Sequence, residues 1–277
     1  SNTTASANVA IGRNALYGCV TGANNTAIGE QALTACLGSN NTAVGLYSSL
    51  NATTGGANVS VGVQALQTNQ TGEHNVALGM YTLYAYTGSK NIAIGYEAGK
   101  SITSSIENVF IGYHAGKLRT GGVDNTFVGS NAGYSAGTGC CNTGMGRASG
   151  YHLTTGVQNT FFGRQAGYSV TTEPNNTIVG HNAGIYTTGA GNTIMGSGAG
   201  AKTGMTGTSH TIIGETAGDE ITTGTNCIAI GYAAGSGSSP RQMTTNSNEI
   251  VIGSNAIVGA YIRVAWTAGS DKRDKIN

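Results

Sequence analysis

The sequence predicts an all-β chain wound as a parallel β-roll or β-solenoid of about fifteen rungs of 16–18 residues. Three observations predict it. The pentapeptide Asn25-Thr26-Ala27-Ile28-Gly29 is rewritten fifteen times between Asn8 and Gly253, at spacings of 16 to 18 residues and a last one of 22. Glycine accounts for 46 of 277 residues without a collagen period, and Val, Ile and Thr are abundant while only 9% of residues are charged, a composition suited to a β repeat. Within each copy, side chains of adjacent residues must point to opposite faces of a strand.

Each motif position has its own residue preference. The fourth is large and apolar in every copy, from Ile11 to Ile252, and the second is Thr in eight copies and Val or Ile in seven. Stiff, near-isosteric residues suit a filled column, so positions two and four are assigned to the inside of the coil. The third position then faces outward, yet it is Ala, Ser, Phe, Ile, Val or Gly. A strand apolar on both faces has no wet side. Partner copies of the chain are therefore expected to cover this stripe around a common axis, with Ala27, Ala43, Phe110, Phe127, Phe161 and Ile178 as contact residues.

The first position is Asn in twelve copies, and Asn25, Asn41, Asn58, Asn75, Asn91, Asn108 and Asn125 are expected to stack as an amide ladder. The invariant fifth-position glycine predicts a corner with positive φ or close backbone approach. A small residue three positions later, usually Ala, is followed by Leu in early copies and Gly in later ones. This pair reads as a short second strand, closed by a Thr-Gly turn such as Thr21-Gly22 or Thr155-Gly156. Near the seventh copy the third position changes from Ala to Phe and Ile, and Ala-Leu becomes Ala-Gly. The two changes read as one repacking. Fifteen rungs at about 4.8 Å give a rod of roughly 70 Å.

Chemistry-bearing residues are scattered. Cys19 and Cys36 fall at matching places on adjacent rungs and read as buried thiols rather than a disulfide framework, since the five cysteines are odd in number and dispersed. His74, His114, His152, His181 and His210 fall on different rungs, so no metal site and no cofactor are expected. Acidic residues are sparse and suggest no glycosidase pair, and catalysis on an external substrate is not expected. The net charge of +1 offers no electrostatic case for nucleic acid. No run approaches the roughly 18 apolar residues of a membrane span, so no membrane insertion is expected. Tyr134, Tyr151 and Tyr168, spaced by 17, should form a tyrosine ladder with structural self-stacking.

The C-terminal part divides differently. Residues 1–235 form the repeat region. Residues 236–269 hold a low-complexity break, one more rung and a neck, AIVGAYIRVAW. Residues 270–277 begin Ser270-Asp271-Lys272-Arg273-Asp274-Lys275, which alone reads as a solvated charged tail.

That tail resembles the opening of the endosialidase-type intramolecular chaperone of phage tail fibres and tailspikes, with its Ser-Asp-x-Arg-x-Lys pattern. The resemblance implies self-cleavage between Ser270 and Asp271, with Ser270 as nucleophile and Lys275 as its general base. The repeats, over roughly residues 5–255, are similar to the head of YadA-like trimeric autotransporter adhesins, which implies a left-handed roll in a homotrimer. Together the resemblances imply a structural and adhesive segment of a homotrimeric tail fibre or surface adhesin, carried on a virion or cell surface, that attaches to a receptor such as a glycan. The passenger head of a bacterial trimeric autotransporter is the alternative. A monomeric ice-binding solenoid is a third reading, disfavoured because the Thr column alternates with Val and Ile, which suits burial.

Overall fold

The computed structural model describes residues 5–258 except 136 and 203, and the expected cleavage residues Ser270, Asp271 and Lys275 and the C-terminal neck beyond 258 lie outside the described residues. Each repeat contributes one three-residue strand: β1 (Val9–Ile11), β2 (Thr26–Ile28), β3 (Thr42–Val44), β4 (Val59–Val61) and β5 (Val76–Leu78). Then follow β6 (Ile92–Ile94), β7 (Val109–Ile111), β8 (Thr126–Val128), β9 (Thr143–Met145) and β10 (Thr160–Phe162). The last are β11 (Thr177–Val179), β12 (Thr193–Met195), β13 (Thr211–Ile213), β14 (Ile228–Ile230) and β15 (Ile250–Ile252). They form one parallel sheet in sequence order. Motif positions stay in register throughout, as in Thr26↔Thr42, Ala27↔Ala43 and Ile28↔Val44. The chain is a β-solenoid, and rung n below denotes the repeat that contains strand βn, its residues counted from the first motif position. No helix occurs among the described residues.

The corner explains the fifth-position glycine twice over. At Gly29 φ is +134°, a conformation L side chains rarely adopt, and a Cβ there would lie 2.5 Å from the Gly45 carbonyl oxygen of the next rung. Successive corners therefore stack backbone on backbone.

The expected second strand is absent. Two residues after the corner the backbone is left-handed, as at Gln31 (φ 53°), and two later it is left-handed again, as at Leu33 (φ 50°). Alternating left-handed residues cannot form a strand, so this stretch is a turn. It still bonds between rungs, through contacts such as Leu33 N–H to the Ser48 carbonyl at 3.1 Å and Gly116 N–H to that of Ala132 at 2.9 Å.

The strand faces are the reverse of the expectation. Ala27, Ala43, Phe110, Phe127, Phe161 and Ile178 are fully buried inside the coil of their own chain, so they do not present a surface to a partner. The second and fourth positions face outward instead, for example half-buried Thr26 and exposed Ile28 around buried Ala27. The physical reason is the narrow bore. The third, eighth and ninth residues of each rung share one interior space, so bulk in one column must be matched by loss in another. A Cβ on Gly116 would lie 2.3 Å from the Phe110 ring, and one on Gly133 would lie 2.6 Å from that of Phe127. The Ala-to-Phe and Leu-to-Gly changes are thus one repacking, as expected, but it takes place inside the coil.

Candidate interaction face

The outward face of the sheet carries two columns. One is Thr, Val or Ile at the second motif position and the other is the large apolar residue at the fourth. No second or fourth position in the fifteen strands is fully buried. Val61, Met145, Phe162, Met195 and Ile230 rank among its exposed large side chains. A continuous apolar stripe of this length exceeds what isolated side chains on a monomer surface explain. From β8 to β13 the second position is Thr on six consecutive rungs.

Behind this face lies the asparagine column. Asn41 N–H donates to the Asn25 Oδ1 at 2.8 Å, and Asn58, Asn75, Asn91, Asn108 and Asn125 repeat the contact at 2.9–3.0 Å. Each Nδ2 also reaches a turn carbonyl, as Asn58 does to Gly72 at 2.8 Å and Asn125 to Gly139 at 3.0 Å. These side chains are buried, and they satisfy backbone groups that the three-residue strands leave over. At β13 the ladder changes chemistry. His210 replaces Asn, accepts from the Cys227 N–H through Nδ1 at 3.2 Å, and burial lowers its pKa.

Past the corner glycine a third feature emerges. Tyr81, Tyr84, Tyr96, Tyr113, His114, Tyr134, Tyr151, His152 and Tyr168 form an unbroken chain of ring contacts across rungs 5 to 10. Tyr134, Tyr151 and Tyr168 stack at 4.9 and 5.1 Å. Within this strip Glu97 is nearly buried and takes Lys100 and Lys117 at 2.6 Å each and His114 at 3.1 Å. Burial pushes the Glu97 carboxyl up, but hydrogen bonds and charge from the two lysines outweigh it and hold the group at about 2. Burial, aided by the Lys117 charge, lowers the pKa of His114.

Cys19 and Cys36 are buried free thiols, donating to the Gly22 and Gly38 carbonyls at 3.3 and 3.0 Å. Burial raises Cys36 to about 11. Among the described residues no group of three or more His, Cys, Asp or Glu side chains is placed to hold a metal ion.

Sequence reasoning missed the outward direction of the second and fourth positions and the extent of the aromatic strip. Both had signals. The first and third motif positions share a strand face, so the near-constant Asn and the traded bulk at position three mark that face as interior. The strip is written at the sixth, seventh, tenth and eleventh residues of successive rungs. Compared with known proteins, the sequence matches no family model and no curated protein.

Proposed function

We propose that the chain is a segment of a homotrimeric fibre, a tail fibre or surface adhesin, whose three left-handed coils associate through the two-column apolar face. The observation that carries this reading is the presence of large apolar side chains at the fourth position of all fifteen strands, none of them buried by the chain's own coil. Burial of such area is worth about 25 cal/mol per Å², and closed symmetry lets a single repeating stripe cover itself. Light scattering coupled to size exclusion tests it. Three chains per particle are expected, and Ile94→Lys with Ile111→Lys should lower the mass while leaving the far-ultraviolet spectrum unchanged. A stable wild-type monomer overturns the reading. The Ser270 and Lys275 assignment is a separate part of the proposal. Ser270→Ala in the complete gene product should leave a larger chain on a denaturing gel, and normal processing there refutes it.

One observation favours a second reading. The Thr column now stands on the outer surface and is unbroken over β8 to β13, so these six rungs present hydroxyls at the strand spacing of about 4.8 Å. On that reading the face stays bare and binds ice. Thermal hysteresis from a monomeric particle would establish it, and its absence closes the option.

A further inference from the structure

The strip beyond the corner glycines differs from the rest of the surface in both chemistry and charge. Over rungs 5 to 11 the sixth, seventh, tenth and eleventh residues contribute eight of the chain's 13 tyrosines and the cations Lys100, Lys117, Arg147 and Arg164. Against these four cations stands one carboxylate, Glu97, already taken by the two lysines. The whole chain carries a net charge of only +1, so the positive charge is concentrated here. Among the described residues Arg147 and Arg164 form no ion pair. Both are exposed, and Arg164 Nη1 lies 2.8 Å from His181 Nε2. Carboxylates return beyond the strip's ends, at Glu30 on one side and at Glu215 and Glu220 on the other. Glu73, Glu107, Asp124 and Glu173 belong to the turns leading into the strands, at the opposite strand end from the corner.

We infer that this strip binds an acidic polysaccharide laid along the coil axis, its carboxylates taken by Arg147 and Arg164 and its sugar rings by the tyrosine edges and hydroxyls. Charge complementarity selects an anion, because planar guanidinium groups match carboxylates two bonds at a time. The ring geometry selects a saccharide over a nucleic acid. Tyr96 and Tyr113 lie 15° from parallel, Tyr134 and Tyr151 lie 6°, and Tyr151 and Tyr168 lie 19°. Their facing sides are occupied by one another, which leaves few open platforms for bases, whereas single-strand binders need open ring faces. What remains outward is a row of edges and phenol hydroxyls, apolar and polar by turns, as a sugar is. The inference rests on the adhesive part of the fibre reading and names the class of receptor.

Biolayer interferometry with immobilised sodium polygalacturonate tests it, with neutral dextran and an oligo-thymidylate as comparison surfaces. Selective retention on polygalacturonate is expected. The Arg147→Gln, Arg164→Gln double variant should bind at least about tenfold more weakly, and Tyr113→Ser should also lose affinity. The charge-matched Lys90→Gln, Lys202→Gln double variant, altered outside the strip, should bind as the wild type does. Equal loss in both double variants, equal binding to dextran, or preference for the oligonucleotide overturns the inference. Mass measured on the same preparation separates the two readings. A trimer that ignores polygalacturonate overturns the strip assignment alone, and a monomer that binds it overturns the fibre alone.

Discussion

Rungs 2 to 5 and rungs 7 to 13 solve one packing problem in opposite ways. In the first group the third motif position is small, at Ala27, Ala43, Ser60 and Ala77, and bulk comes from Leu33, Leu66 and Leu83 beyond the corner. In the second, Phe110, Phe127, Phe161, Ile178, Ile194 and Ile212 fill the coil from the strand, and glycine replaces leucine. The first solution holds leucines in left-handed backbone, with φ of 46–51° at Leu33, Leu66 and Leu83. That costs roughly 1–2 kcal/mol per residue, against about 1.5–3 kcal/mol from burying each side chain. The second gives the left-handed site to glycine and takes its apolar area from a relaxed strand. The junction shows the exchange directly. Rung 6 has Ala93 and Gly99 together, and a Cβ on Gly99 would meet Leu83 at 2.9 Å and Phe110 at 3.1 Å. Neighbours from both regimes fill the gap. In the early rungs a polar break adds a weakness, since Ser48, Ser49 and Ser60 bond to one another at 2.7 and 2.8 Å inside the coil. They lie between two separate apolar clusters.

The largest expected effect breaks the second regime with the first regime's residues. Phe127→Ala empties space shared by Gly133 and Gly144 and should cost about 3–5 kcal/mol, read from a denaturant midpoint. Gly133→Leu alone should also destabilise, because its side chain would enter the Phe127 ring. Combined, the two create a rung with Ala and Leu, as at Ala27 and Leu33. The double variant should recover at least 1 kcal/mol or so relative to additivity. Strict additivity would mean that the columns do not share one space.

A smaller effect should come from Arg119, on the interior column seven residues after the corner. In early rungs this column carries polar tips that reach turn carbonyls, as Cys36 does to Gly38 and Asn69 to Gly72 at 3.0 Å each. On rungs 9 and 10 it is apolar, with Leu153 and Val170. Arg119 is fully buried, donates through Nη2 to the Gly139 carbonyl at 2.6 Å, and lies 5.3 Å from the Phe127 ring centroid. Its Nε and Nη1 have no hydrogen-bond partner, and burial lowers its pKa to about 10. A buried cation without a counter-charge costs stability. Arg119→Leu, the residue that rung 9 uses, should therefore raise unfolding free energy by about 1–3 kcal/mol. A lower thermal midpoint in the variant would show that the guanidinium contacts outweigh its desolvation.

The rung was legible in the sequence because period, corner glycine and strand alternation are local properties. Facing was not, because alternation separates two faces without saying which is inside. Ile28 and its equivalents argued for burial by hydrophobicity alone, yet the bore admits only what Ala27, Ala32 and Leu33 leave free. The column that hydrophobicity placed inside is the one that stands on the outer surface. Glu97 was equally hidden, since its ion pairs join the same rung at Lys100 with the next at Lys117, and a single repeat read alone shows only half the cluster.

The smallest effect concerns the asparagine ladder, intact through rung 12 and altered at rung 13. His210 keeps the Asn role only while Nδ1 is unprotonated and can accept from the Cys227 N–H. Its folded pKa lies below the ordinary value of 6.5 through burial, so on acidification the unfolded chain binds the proton first. The His210 contribution is whole above about pH 6.5 and falls as pH drops toward the folded pKa, by at most about 1.4 kcal/mol per unit. His114, also lowered by burial, loses stability over the same window, whereas the depressed Glu97 carboxyl acts only below about pH 4.5. His210→Asn restores the amide of rung 12 and removes one of the two histidine terms. Between about pH 7.5 and 5.0 the fall in thermal midpoint should shrink without vanishing, and adding His114→Gln should flatten most of what remains. An unchanged fall in His210→Asn would mean that rung 13 tolerates the charged ring and that the ladder there carries no acceptor requirement.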